Sequence, residues 1–166
     1  MRLLCLRDSN SVDDHPQSVA TVLANWEKLM ATGKRLCSPT SHDGSLSWLR
    51  EFIDSIDARG WRCDLMDVHC YWPEGSFDGL KNWYNNYGKR PLWISEWVWG
   101  ASWNSNGVFT SGWEDSYRVS QNAVVVNRIL ANMNSWGYEE RYFYWNGDKW
   151  YSRITNTGSL TPTAEK

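Results

Sequence analysis

The sequence predicts an α/β fold built on a parallel sheet, and three observations predict it. Short apolar runs with strand character alternate with longer segments whose apolar residues recur at helical spacing. A glycine stands at the end of each helical segment, at Gly33, Gly60, Gly88 and Gly137. The chain has 166 residues without internal repeats or a linker, the length of one ordinary domain. Strands alternating with helices of this length call for parallel pairing, because each helix carries the chain back across the sheet.

Each element follows in order. RLLCL, residues 2–6, is a short apolar strand. Val19, Val22, Leu23, Trp26, Leu29 and Met30 share one helical face, so 16–32 reads as an amphipathic helix begun by Pro16. The second strand is 35–38, stopped by Pro39. Leu46, Leu49, Phe52, Ile53 and Ile56 then mark the second helix. Strand three is 64–69, helix three 77–87 and strand four 92–96. After a polar loop from Trp97 to about residue 112, the longest helix spans 119–136, with Val125, Ile129, Leu130 and Met133 on one side. The fifth strand is 141–144, and the closing LTPTAEK reads as the first turn of one more helix.

Parallel α/β folds place their sites at the carboxyl ends of strands, so those ends are where chemistry is sought. Here they are Arg7-Asp8, Ser38-Pro39-Thr40, His69-Cys70-Tyr71-Trp72, Glu96-Trp97 and Trp145-Asn146. Glu96 follows a buried strand and precedes a cluster of indoles, a partly desolvated setting suited to a working carboxylate. Asp8 occupies the equivalent end of the first strand. Two carboxylates on different strand ends can flank one glycosidic bond, one protonating the leaving oxygen and the other attacking or activating water. His69 and Tyr71 face the same side by strand alternation and form the supporting shell, Tyr71 donating to Glu96. A serine triad is disfavoured: no GxSxG is present, and Ser38 precedes a proline.

Composition narrows the partner. The chain carries 13 Trp and 8 Tyr, with 17 basic against 19 acidic residues and no basic run. Nucleic acid is therefore not expected. Trp26, Trp48, Trp83 and Trp136 fall in helices and suit packing. Trp72, Trp97, Trp99, Trp103 and Trp145 lie at strand ends or in loops, where indoles can stack on the apolar face of a sugar, with Asn146 as a hydroxyl partner. An oligo- or polysaccharide is the expected ligand. The four cysteines, Cys5, Cys37, Cys63 and Cys70, form no CxxC pair. Cys63 and Cys70 sit roughly 20 Å apart at strand rise, so they cannot bridge each other, and neither a metal nor a cofactor is expected. The apolar start LLCL is too short for a signal peptide, and no run reaches membrane length. Localisation stays open, since any secretion signal would lie upstream.

WISEW after KRP, the strand end VHCYW, the segment WEKLMATGKRLCSPTS and the terminal GSLTPTAEK together resemble glycoside hydrolases with the glycosyl hydrolase catalytic core (Asl1-like) domain. That group includes the family 128 endo-β-1,3-glucanases. The resemblance implies a (β/α)8 barrel of which residues 1–166 form the C-terminal part, strands four to eight with their helices. It matches Glu96 to the nucleophile at the end of strand seven, His69 and Tyr71 to strand six, and Trp145 to strand eight. In strand four the family has Asn-Glu-Pro, whose Glu is the acid/base, and here Arg7, Asp8 and Ser9 stand at those positions. An Asp would hold its proton roughly 1 to 1.5 Å farther back, and misplacement on that scale can cost on the order of a hundredfold. The expected function is a retaining β-glucan hydrolase, with β-1,3-glucan favoured by the resemblance and activity lowered at Asp8. The alternative is a non-catalytic carbohydrate-binding remnant or an inactive fragment. Five strands of an eight-stranded barrel would expose two edges, which self-association would cover.

Overall fold

Local sequence rules set where the helices begin and end. The computed structural model describes residues 3–4, 17–40, 46–72, 74–99, 116–145, 155–156 and 159–160. Helix α1 (Val19–Met30) starts at Ser18, whose side chain accepts the Thr21 N–H at 3.1 Å, a cap worth about 1 kcal/mol. It stops before Gly33, which takes a φ of 67° that other residues rarely adopt. Helix α2 is Leu46–Ala58, α3 is Leu80–Asn86 and α4 is Ser116–Ser135. Among the described residues no helix is long and apolar enough to cross a membrane.

The strands are β1 (Leu3–Leu4), β2 (Arg35–Leu36), β3 (Met66–Cys70), β4 (Leu92–Trp97), β5 (Glu139–Tyr144), β6 (Thr155–Asn156) and β7 (Ser159–Leu160). β1 pairs with β2 in parallel, Leu3 opposite Arg35 and Leu4 opposite Leu36. A further parallel bridge joins Cys37 to Leu65. β3, β4 and β5 form a three-stranded sheet in that order. The result is an α/β fold with a parallel sheet, as the alternation predicted.

Several bounds differ from expectation, among them the start of the longest helix, Ser116 rather than 119. The third helix was expected over 77–87, but Glu74–Gly79 is a 3-10 turn and α3 begins only at Leu80. Two glycines within six residues, Gly75 and Gly79, weaken the α-helical start there. β5 begins at Glu139, two residues before the expected 141. Leu160, expected in a helical turn, pairs antiparallel with Thr155, and Ser159 pairs with Asn156.

The chain divides into two compact units, residues 1–69 with 81–95, and residues 70–80 with 96–166. In the first, α1 buries Val19, Val22, Leu23 and Trp26, and α2 buries Leu49, Phe52, Ile53 and Ile56. These are the two apolar stripes read from the sequence. Trp26 meets Phe52 edge-on with centroids 4.9 Å apart, and Trp48 stacks on Phe52 at 5.7 Å. The Trp26 indole N–H donates to the Arg62 carbonyl at 2.9 Å, so this wholly buried ring leaves no polar atom unpaired. Arg90 ties the segment after α3 to its surroundings, donating to the Cys63 and Tyr87 carbonyls and pairing with Asp57. Cys37, Cys63 and Cys70 are buried thiols outside any disulfide, and burial pushes Cys63 up to about 12. Cys5 lies outside the described residues.

In the second unit the core is aromatic. Trp97 has 0 % exposure. Phe77, Tyr142 and Tyr144 meet it edge-on with centroids 5.8, 6.4 and 5.0 Å away. Helix α4 buries Ala123, Val125, Val126, Ile129 and Met133, and it packs on the 3-10 turn.

Candidate active site

The second unit gathers the carboxyl ends of three strands. Val98 donates its N–H to the Cys70 carbonyl at 3.1 Å, and Trp145 donates to the Trp97 carbonyl at 2.8 Å. These bonds pin the residues that follow β3 and β5 to the end of β4. Glu96, Tyr71 and Trp145, all half-buried, meet there. The Tyr71 hydroxyl donates to Oε2 of Glu96. The Tyr71 ring in turn meets the Trp145 indole at nearly a right angle, with centroids 5.6 Å apart. A hydrogen bond from a neutral hydroxyl to a carboxylate is stronger than one between neutral groups and fixes the acceptor's orientation. Glu96 is thus a carboxylate held in place by a phenol beside an indole.

Two tryptophans expected as sugar platforms are core residues instead. Trp97 is fully buried under three rings, and Trp72 keeps 7 % exposure while packing edge-on against Phe77 at 6.0 Å. Neither offers a face to a ligand. Trp99 and Trp145 are half-buried. Asp8, Trp103 and Asn146 lie outside the described residues.

Strand β4 does not keep its alternation to the end. Leu92 and Ile94 are buried and Trp93 and Ser95 half-buried, yet Glu96 is half-buried as well and only Trp97 is buried again. In the first unit the Met66 N–H donates to the Pro91 carbonyl at 2.9 Å, which ties the starts of the two strands together.

In the first unit the same strands carry a buried polar cluster. Asp67 has no exposure. Its Oδ2 accepts the Thr40 hydroxyl at 2.7 Å, its Oδ1 accepts the Ser95 N–H at 3.2 Å, and its own N–H donates to Ser38 Oγ at 2.9 Å. Burial pushes the Asp67 carboxyl up, while the Thr40 and Ser95 hydrogen bonds and the charge of His69 oppose the rise. The structure thus places His69 near Asp67. Asp67 was not singled out from sequence, although the signal was present: an acid inside the apolar strand MDVHC, two residues before His69 and on its face. A second acid, the half-buried Glu139, opens β5 with neither carboxylate oxygen hydrogen-bonded among the described residues, and burial raises it to about 7. Among the described residues no three His, Cys, Asp or Glu side chains converge to hold a metal.

The fold places the chain among α/β proteins with a parallel sheet. The family model for the glycosyl hydrolase catalytic core matches residues 8–165, and the chain belongs to that family. A search of curated proteins finds no match. Solved structures share the fold. A GH128 (subgroup I) endo-β-1,3-glucanase from Amycolatopsis mediterranei, in complex with laminaritriose, superposes with a TM-score of 0.81 at 24% identity over 98% of this chain and 70% of its own. A GH128 (subgroup V) exo-β-1,3-glucanase from Cryptococcus neoformans gives 0.77 at 19% identity, over 98% of this chain and 67% of its own. A GH128 (subgroup VII) oligosaccharide-binding protein from Trichoderma gamsii gives 0.73 at 18%, over 98% and 65%.

Proposed function

We propose that the chain is a retaining glycoside hydrolase acting on a β-glucan, with β-1,3-glucan as the favoured substrate. The observation that carries this reading is the Tyr71–Glu96 hydrogen bond at the pinned strand ends, beside Trp145. A nucleophile must approach the anomeric carbon along one line, and a phenol that anchors one carboxylate oxygen supplies that direction. Glu96 attacks, the glycosyl ester forms, and water releases the sugar with retained configuration. Asp8 takes the acid/base role in a shortened form, which lowers the rate on substrates whose leaving group needs a proton. Trp145 and Trp99 supply the aromatic surface, joined by Trp103 and Asn146, while His69 supports the site from β3. The laminari-oligosaccharides held by the Amycolatopsis enzyme favour a β-1,3-linked ligand here. Nearly balanced charge favours such a neutral glycan over nucleic acid.

Residues 1–166 make up the C-terminal strands four to eight of a (β/α)8 barrel in this reading, supported by the chain's cover of 70% of the Amycolatopsis enzyme. β5 ends the described strand order and carries Phe143 at 49 % exposure, which supports self-association along that edge. A second reading, a non-catalytic oligosaccharide binder, is favoured by Asp8 at the acid/base position and by the Trichoderma protein of the same fold. Laminarihexaose turnover followed by proton NMR separates the two. The enzyme releases the β-anomer first and Glu96→Gln releases nothing; binding without turnover in the wild type, unimproved by Asp8→Glu, establishes the binder.

A further inference from the structure

Trp136 is not the helix-packing residue that its place in the sequence suggests. Helix α4 ends at Ser135, so Trp136 opens the turn that leads into β5. Its indole lies stacked on the Tyr138 ring, 13° from parallel with centroids 5.6 Å apart. Both rings are half-buried, and Gly137 between them is exposed. Gly33, Gly60 and Gly88, which end the other helical segments, have positive φ, and Gly137 does not. The backbone therefore does not call for glycine at this turn. A Cβ at Gly137 would meet no atom within 4 Å outside its chain neighbours, so the turn that carries the two rings borders open space.

The polar atoms here suit a ligand as well. Among the described residues the Trp136 ring touches no aromatic ring but Tyr138, and its indole N–H donates to none of their atoms. The charge of the exposed Asp78 reaches Tyr138 from the 3-10 turn. Flat apolar rings, an unused N–H donor and a carboxylate acceptor match a pyranose, whose C–H face stacks and whose hydroxyls both accept and donate. A cation would suit the rings and Asp78, but the indole N–H would oppose it. Trp145 follows the other end of β5, and that six-residue strand sets the two places roughly 20 Å apart.

We propose that Trp136 and Tyr138 form a second saccharide platform, at the far end of β5 from Trp145, which holds a neutral glycan without taking part in its cleavage. The choice of a β-glucan as that glycan rests on the proposed function; the platform itself does not.

The test is fluorine NMR of Glu96→Gln protein labelled with fluorotryptophan, titrated with laminarihexaose. Trp136→Phe and Trp145→Phe assign the two resonances. The Trp136 resonance is expected to shift with a Kd on the order of 1 mM, and to do so within about twofold in Trp145→Phe, as a separate site requires. Trp136→Ala is expected to lower retention on insoluble β-1,3-glucan about tenfold. A Trp136 resonance that laminarihexaose leaves unmoved, or whose shift disappears in Trp145→Phe, overturns the proposal. So does one that moves with tetramethylammonium and not with the sugar, which makes the rings a cation site. Should Trp136→Ala not fold, the titration alone decides. A shift at Trp145 without one at Trp136 overturns the platform and leaves the proposed function standing. A shift at Trp136 without one at Trp145 does the reverse.

Discussion

Trp26 and Trp97 are both wholly buried tryptophans, one in each unit, and they are buried on different terms. Trp26 packs on Phe52 and donates its indole N–H to the Arg62 carbonyl, so its polar atom is satisfied. Trp97 is enclosed by Phe77, Tyr142 and Tyr144, and its indole nitrogen has no hydrogen-bond partner among the described residues. The two acids divide the same way. Asp67 in the first unit is bonded through both oxygens, while Glu139 in the second has neither bonded among the described residues. Burying an unpaired donor costs about 1 to 3 kcal/mol, so the second unit gives up stability to bring its rings together. Trp97, which those rings enclose, follows Glu96 directly in β4.

The largest expected effect breaks the site itself. Glu96→Gln is expected to lower hydrolysis of laminari-oligosaccharides by roughly three orders of magnitude or more, with binding by titration calorimetry retained. Next comes the contrast between a core indole and a site indole. Trp97→Ala is expected to destabilise the fold by about 3 to 5 kcal/mol in urea titrations, whereas Trp145→Ala is expected to cost less than about 1.5 kcal/mol of stability and to weaken oligosaccharide binding about tenfold. Similar losses of stability in both would erase the distinction between anchor and platform.

Two smaller effects sharpen the comparison of polar terms. Phenylalanine keeps much of the packing and drops the indole N–H. Trp26→Phe should therefore destabilise more than Trp97→Phe by about 1 kcal/mol, because only the first leaves a carbonyl without its donor. For Glu139, burial raises the folded-state value to about 7 from an ordinary 4.5. The native state then binds the proton more tightly than the unfolded chain, so stability falls as pH rises from 4.5 through 7. Glu139→Gln is expected to match the wild type at pH 4 and to exceed it at pH 8 by roughly 1 kcal/mol, allowing for partial exposure. Thermal melts at the two pH values check the sign.

Periodicity made most of the fold legible. The apolar stripes of α1 and α2 are the ones that the sequence marks, and β3 and β4 lie where their apolar runs do. What escaped was what periodicity does not encode. Glycines turned the start of the third helix into a 3-10 turn, and the pairing of β6 with β7 depends on cross-strand hydrogen bonds rather than on an apolar pattern. At the site, the pairing of Tyr71 with Glu96 could be read from their places at strand ends. The burial of Trp97 could not, because the alternation by which its side would be judged breaks at Glu96. Asp67 was visible as a residue but its partners were not, since the Ser95 N–H that it accepts is a backbone group that no side-chain motif records.

The central claim is that Glu96 is a nucleophile already aimed. The most direct measurement is mass spectrometry after incubation with 2-deoxy-2-fluoro-β-laminaribiosyl fluoride. Its fluoride leaves without an acid, so a shortened acid/base at Asp8 does not interfere, and its second fluorine slows hydrolysis of the ester. An adduct on the peptide containing Glu96, absent from Glu96→Gln, is the predicted result. No adduct, or one on another residue, would contradict it.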